Sequence, residues 1–290
     1  MKSDLSPGAH SPDEYVVIGN PVAHSLSPRI HALFAEQTGC ALRYSRLLAE
    51  RDHFVATTRR FFDAGGCGAN VTVPFKGEAA RLMDSLTPRA RAAGAVNTIK
   101  READGRLSGD NTDGAGLLRD LTVNLGLQPA GQRLLLLGAG GAASGVVEAL
   151  LQSGPSCLVV ANRTAEKADD LAQRFAPVGM IRGTRFAQAA EHAPFDLVIN
   201  ATSAGLDGDR RSLPDLPLHL FASGALAYDM IYADTPTPFL SWAAEQGVAH
   251  RADGLGMLVE QAAEAFLIWR GTRPDTRPVL DALRPRELIA

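Results

Sequence analysis

One segment of this chain couples a short apolar run to a run of small residues, and the chemistry of that pairing is phosphate binding. Leu134-Leu135-Leu136-Leu137 reads as a buried strand, and Gly138-Ala139-Gly140-Gly141-Ala142-Ala143 as a glycine-rich turn opening a helix. Gly138 allows a tight turn. Gly140 lets the backbone approach a pyrophosphate, which the helix N-terminus then favours. A plain helix-start turn is the alternative. The next strand ends in Val159-Val160-Ala161-Asn162-Arg163-Thr164, with Lys167 one helical turn later. NAD enzymes usually place Asp or Glu at that spot to accept from the ribose hydroxyl. Here no carboxylate is present. Arg163 can pair bidentately with a 2′-phosphate, Lys167 adds a second positive charge, and Thr164 adds a hydroxyl at a helix start. The pattern predicts NADP. Either cation alone would be read as solvated; their shared position carries the prediction.

A second set of chemically capable residues lies upstream. In Gly19-Asn20-Pro21-Val22-Ala23-His24-Ser25-Leu26-Ser27-Pro28, the hydroxyls of Ser25 and Ser27 can point to one side of an extended loop. Two hydroxyls beside a helix start form a neutral donor site for a carboxylate. On spacing alone, one serine capping the helix and the other solvated is the simpler reading. In Gly68-Ala69-Asn70-Val71-Thr72-Val73-Pro74-Phe75-Lys76, Lys76 lies just beyond a strand end, where α/β proteins usually place ligand contacts. A lone Lys is more often a surface residue. Gly94-Ala95-Val96-Asn97-Thr98 and Gly109-Asp110-Asn111-Thr112-Asp113-Gly114 are polar turns of a kind that often serves only as Asx-turns.

The elements that must position these residues alternate in type. Tyr15–Gly19, Leu42–Leu48 and Ala69–Val73 read as strands, the last stopped by Pro74; Pro28–Gly39 and Arg51–Ala64 read as helices. The first part is therefore α/β with a largely parallel sheet. Thr112–Leu125 reads as a helix linking it to a second unit. There, strands at Arg133–Leu137, Cys157–Ala161, Asp196–Asn200 and Ala225–Asp229 alternate with helices to about Gln152 and at Thr164–Phe175, with Thr164 as N-cap. This is the doubly wound pattern. A long helix, Leu255–Arg270, is ended by Gly271. There is no internal repeat.

Composition narrows the class. The chain has 290 residues, 46% hydrophobic, with a formal charge of −3, which gives no reason to expect nucleic acid or an anionic membrane as partner. No apolar run is long enough to cross a bilayer, and the polar segment Met1–Asp13 lacks a signal-peptide core and reads as a frayed tail. Cys40, Cys67 and Cys157 form no pair spaced for zinc or for a disulfide framework, so no metal is expected. They read as reduced, mostly core thiols of a cytoplasmic protein.

Together these segments resemble the shikimate dehydrogenase family. Its signature runs G-N-P-x-x-H-S-x-S-P, N-V-T-x-P-x-K, G-A-V-N-T and N-T-D-G, and each part occurs here in order. The glycine turn, N-R-T, N-A-T-S-x-G (residues 200–205), D-M-x-Y (Asp229–Tyr232) and the run Gly254–Ala262 follow. The resemblance covers roughly Tyr15 to Gly271. It implies an α/β fold of two domains. Residues 1–112, completed by a C-terminal helix in 255–290, would hold the substrate; residues 113–254 would form a Rossmann-type NADP-binding domain.

The resemblance also implies roles. Lys76 and Asp113 would be the catalytic pair. Ser25 and Ser27, with Thr72 and Tyr232, would hold the substrate carboxylate, and Asn97, Asp113 and Gln261 the ring hydroxyls. Gly138, Ala139, Gly140, Gly141 and Ala142 would hold the pyrophosphate of NADP. Asn162, Arg163, Thr164 and Lys167 would hold the ribose phosphate, while Met230 and Gly254 would lie near the nicotinamide. The implied reaction is reversible reduction of 3-dehydroshikimate to shikimate. The chain departs from the family at Pro88, where an acidic residue near the nucleotide is common. The nearest rival is a quinate/shikimate dehydrogenase using NAD or NADP. Glutamyl-tRNA reductase would need a nucleophilic cysteine in a fitting motif, and a catalytically dead sensor would be expected to have lost Lys76 or Asp113. A homodimer is left open.

Overall fold

The computed structural model describes residues 12–204 and 213–284. The predicted N-terminal tail falls outside them up to residue 11, and the strand that follows already begins at Asp13. The described chain forms two six-stranded sheets.

The first sheet takes β1 (Asp13–Gly19), β2 (Leu42–Leu48), β3 (Gly68–Val71), β4 (Ser85–Leu86), β5 (Thr98–Arg101) and β6 (Leu107–Asp110), in the order β2-β1-β3-β5-β6-β4. Helices α1 (Ser27–Thr38), α2 (Phe54–Asp63), α3 (Lys76–Leu82) and α4 (Pro88–Ala93) alternate with them. The helix α1 starts with Pro28 in its first turn and stops at Gly39, whose φ of 68° closes the left-handed cap. The sheet is largely parallel, as expected, with β5 as its one reversed strand; β4 pairs parallel with β6. β1 pairs parallel with β2 and β3, but β5 pairs antiparallel with both β3 and β6. The β5–β6 pairing is closed by a tight turn at Asp104-Gly105, where Glu102 N donates to Arg106 O at 2.8 Å and Gly105 adopts φ 85°.

The linker is α5 (Asp113–Arg119), which passes into a π-turn at Asp120–Asn124 instead of running on as one α-helix. The widened turn keeps Leu117 and Leu121 in the core while the Asp120 carboxylate accepts from Tyr228 Oη at 2.6 Å and Asn124 Nδ2 at 2.9 Å.

The second sheet comprises β7 (Arg133–Leu137), β8 (Cys157–Asn162), β9 (Ile181–Arg185), β10 (Phe195–Asn200), β11 (Phe221–Asp229) and β12 (His250–Ala252). It is wholly parallel, in the order β12-β11-β10-β7-β8-β9. With α6 (Gly141–Gln152), α7 (Ala165–Phe175) and α8 (Pro238–Glu245) it is the predicted doubly wound unit. Leu134 and Leu136 face one core layer, with α6 and α7, while Leu135 and Leu137 face the other, with α8. A parallel strand covered on both faces needs such an unbroken apolar run.

The last helices, α9 (Leu255–Arg270) and α10 (Arg277–Leu283), return to the first unit. Val259, Ala262, Ala263 and Phe266 of α9 pack on Ile30 and Phe34 of α1, and Trp269 Nε1 donates to Ile99 O at 3.0 Å. The three cysteines are free and half-buried; Cys40 and Cys157 pack against the margins of core clusters rather than inside them.

Candidate active site

Lys76 opens α3 and Asp113 opens α5, and the two side chains meet: Lys76 Nζ lies 2.5 Å from Asp113 Oδ2. Both are shielded, with side-chain exposures of 17% and 5%. Asp113 Oδ1 accepts from Asn97 Nδ2 at 2.8 Å, and Asp113 N donates to Asn111 Oδ1 at 3.1 Å. Asn97 is held in turn: its Oδ1 accepts from Thr112 N at 2.8 Å and Thr98 Oγ1 at 2.9 Å. Gln261, from α9, brings Oε1 to 3.3 Å from both Asn97 Nδ2 and Thr112 Oγ1, and its amide donates to Leu258 O at 2.9 Å. Buried polar groups this fully paired have little freedom to rearrange.

The serine loop faces the same unit. Ser25 Oγ and Ser27 Oγ stand 3.2 Å apart, so the two hydroxyls do point to one side. Arg46 of β2 donates from Nε (3.0 Å) and Nη2 (2.6 Å) to the Ser25 carbonyl. Tyr232, just past the end of β11, reaches the backbone of Leu26. Burial pushes its phenol up, and the Leu26 backbone and the Arg46 charge pull the other way. Thr72 N donates to Ile18 O at 2.9 Å, placing Thr72 beside the loop that follows β1.

Polar contacts run from the serines to the Lys76–Asp113 pair. The Ser27 hydroxyl stands beside the Tyr44 phenol, Tyr44 Oη donates to Asn70 Oδ1 at 2.7 Å, and Asn70 Nδ2 donates to Asn97 O at 3.1 Å. Tyr44, Asn70, Thr98, Thr112 and Arg46 were not singled out from the sequence. The available signal was Asn70, an amide inside a fully buried strand, which must find partners.

The nucleotide side has a different character. Gly138 has φ 105°, and a Cβ there would lie 3.2 Å from the Ala201 backbone, so both conformation and space demand glycine. Over Gly140 and Gly141 a Cβ would meet nothing within 4 Å. That open space fronts the N-terminus of α6, flanked by Ala139 and Ala142, between β7 and β10 where the strand order reverses. Arg163, Thr164 and Lys167 are exposed beyond β8, and neither cation has an ion-pair partner among the described residues. Thr164 is the N-cap residue of α7, as expected, although its side chain makes no capping bond; Asn162 Nδ2 donates to Thr164 O at 2.9 Å. These residues fit a dinucleotide with a 2′-phosphate: open backbone donors for the pyrophosphate and unpaired cations for the phosphate.

Met230 and Gly254 are brought together. A Cβ on Gly254 would overlap the Met230 carbonyl, and Gly254 N donates to Ile231 O at 3.0 Å. The preceding Asp229 is buried, accepting from Asn200 Nδ2 and Ile231 N at 3.0 Å and from Thr237 Oγ1 at 2.5 Å. Burial pushes its carboxyl up to about 6 against those bonds. Gly205, which ends the 200–205 motif, lies outside the described residues.

Pro88 is accounted for locally. It opens α4, capped by Thr87, and the next residue, Arg89, grips Asp110 bidentately at 2.7 and 2.8 Å. The helix meets the nucleotide half at its other end, where Ala93 O accepts from Ser144 Oγ at 2.6 Å and Arg174 Nη1 at 3.3 Å. Among the described residues there is no cluster of His, Cys, Asp and Glu able to hold a metal, and no helix long and apolar enough to cross a membrane.

Comparison with known proteins identifies the family. The family model for the shikimate dehydrogenase substrate binding domain matches residues 17–99, that for shikimate/quinate 5-dehydrogenase residues 123–207, and that for the shikimate 5′-dehydrogenase C-terminal domain residues 254–284. A protein of Alkalilimnicola ehrlichii named shikimate dehydrogenase (NADP(+)) is 55% identical over 273 residues, 94% of this chain and 99% of the relative. The chain belongs to the shikimate dehydrogenase family. Among solved structures, an Ael1 enzyme from Pseudomonas putida is 48% identical with a TM-score of 0.86, covering 93% of this chain and 98% of the other. Shikimate 5-dehydrogenase from Thermus thermophilus, solved in complex with NADP(H) and shikimate, is 35% identical with a TM-score of 0.81, covering 96% and 100%.

Proposed function

We propose that this protein reversibly reduces 3-dehydroshikimate to shikimate with NADPH, serving chorismate and aromatic amino acid biosynthesis. The observation that carries the reading is the Lys76–Asp113 pair, 2.5 Å apart and tied through Asn97 to Gln261. Residues 1–112 and 255–290 bind and position the substrate, and residues 113–254 bind the nucleotide. Free thiols suit a reducing cytoplasm.

When bound, the nicotinamide supplies the hydride for reduction and takes it back in oxidation. The protein handles the proton and the charge. Negative charge gathers on the substrate oxygen as the carbonyl is reduced, and Lys76 Nζ donates a hydrogen bond and then the proton there. In the oxidative direction the same nitrogen receives it. Asp113 fixes Lys76 and, with Asn97 and Gln261, meets the ring hydroxyls. Ser25, Ser27, Thr72 and Tyr232 orient the carboxylate, and the open turn at residues 138–142 would hold the pyrophosphate. Asn162, Arg163, Thr164 and Lys167 would hold the ribose phosphate, and Met230 and Gly254 would border the nicotinamide. An absorbance assay with purified protein, shikimate and NADP tests the reading. Reduced nicotinamide is expected to accumulate, and with quinate far more slowly. No reduction by folded protein overturns it, and equal rates on quinate move the chain to the quinate/shikimate branch.

A further inference from the structure

The carboxylate subsite just assigned is built from neutral hydroxyls, yet its ligand is an anion. Lys76, the cation of the catalytic pair, is matched by Asp113 at 2.5 Å and contributes no net charge. An uncompensated positive charge does stand at the subsite. We infer that Arg46 is a specificity-determining residue, the charge complement by which the site selects a ring acid over its uncharged analogues.

Arg46 follows Tyr44 by two positions on β2, so both side chains lie on one face of the strand, and Tyr44 stands beside Ser27. The guanidinium donates from both Nε and Nη2 to the Ser25 carbonyl, at 3.0 and 2.6 Å. It is therefore held in a fixed orientation against the loop whose two hydroxyls face each other at 3.2 Å. Its field also reaches Tyr232, the hydroxyl contributed from just past β11 of the second sheet. There the larger effect of burial raises the phenol and Arg46 opposes it. Among the described residues Arg46 has no carboxylate partner, in contrast with Arg43 on the same strand, which pairs with Glu14 at 3.4 Å. An anion arriving at Ser25 and Ser27 thus meets a cation that no carboxylate among the described residues pairs within 4.0 Å. Because Arg46 is exposed, salt screens its effect on a ligand.

This inference rests on the proposed substrate. Its test compares wild type, Arg46→Gln and Arg46→Lys at saturating NADP, with shikimate and with its neutral carboxamide, from low to high salt. Gln keeps one donor, at the place of Nε, for the Ser25 carbonyl while removing the charge and the Nη2 bond, and the comparison of acid with amide separates the two losses. The expected result is a KM for shikimate roughly tenfold higher in Arg46→Gln, with kcat and the KM for NADP little changed. The preference for acid over amide falls by the same factor, and the rise of KM with salt is lost. Arg46→Lys keeps most of both. Unchanged acid preference and salt response in Arg46→Gln overturn the inference, as does a parallel loss for acid and amide, which marks a purely structural role in the loop. Wild type inactive on shikimate instead defeats the parent reading and takes this one with it.

Discussion

In the reading proposed, the substrate side and the nucleotide side of the site are built on opposite plans. On the substrate side Lys76, Asn97, Asp113 and Gln261 are shielded from solvent and bound to one another before any ligand arrives. On the nucleotide side the glycine turn is open and Arg163 and Lys167 stand exposed without ion-pair partners among the described residues. The difference follows from the tasks. Acceleration needs donors already aimed at the place where charge develops, at no cost of rearrangement during the reaction. Holding a phosphate needs free backbone donors and free cations, and internal partners would compete with the ligand.

If the closed side does the chemistry, its loss shows in turnover. Lys76→Ala is expected to lower kcat by about 10²- to 10⁴-fold with KM changed only a few-fold, since the lost group acts as charge develops. Steady-state kinetics read the split, and nearly full kcat removes Lys76 from its role.

Two buried groups sharpen the contrast through pH. His31, stacked on Tyr44 at 4.2 Å between ring centroids, is held down to about 3 by burial. Neither of its nitrogens meets hydrogen-bond geometry, although Asn70 stands close enough to oppose the shift in part. The unfolded chain binds this proton more readily, so the stability of the neutral imidazole is full above about pH 6.5 and drains away toward pH 3. Asp229, with its carboxyl pushed up to about 6, has the opposite sign: its contribution is full below its unfolded value of 3.8 and is lost as pH rises through 6. Each swing is on the order of a few kcal/mol. Urea midpoints across pH should lose the acid-side decline in His31→Phe and the decline between about pH 4 and 6 in Asp229→Asn. Unaltered curves would sink both assignments.

On the open side, effects are confined to affinity. Arg163→Ala is expected to raise the KM for NADP roughly 10- to 100-fold, the worth of a charge-assisted contact, and to leave NAD untouched. Equal losses for both cofactors would mean that Arg163 does not read the phosphate. Smallest, and on the substrate side, is Ser25→Ala, which removes one of several hydroxyl donors to the carboxylate and leaves Ser27 in place; it should raise the KM for shikimate about 2- to 10-fold. An unchanged KM counts against the carboxylate contact.

The same contrast governs what could be read from sequence. The nucleotide side follows local rules: four leucines, a glycine turn, a helix start and a basic strand end lie within 34 residues, from Leu134 to Lys167. The substrate side joins Lys76 to Asp113 across 37 positions and Asn97 to Gln261 across 164. No periodicity predicts such contacts: the strand end marked Lys76 and the polar turns marked Asn97 and Asp113 as candidates, but their roles, and Gln261 altogether, came from the ordered match to a family pattern. The β5–β6 hairpin was missed although Asp104-Gly105 marks its turn, because Thr98–Arg101 and Leu107–Asp110 are short and half polar. The π-turn was missed because Leu117, Leu121 and Leu125 keep helical spacing through it. What departs there is Asp120, whose partner Tyr228 lies 108 positions away.

The cofactor preference of the wild-type protein tests most directly the claim that the open side is shaped for a 2′-phosphate. With shikimate saturating, kcat/KM is measured for NADP and for NAD. NADP is expected to lead by roughly tenfold or more, the worth of the contacts from Arg163 and Lys167. NAD used as well or better would contradict the account. The fold and the Lys76–Asp113 chemistry would stand, and the two exposed cations would return to being solvated charges.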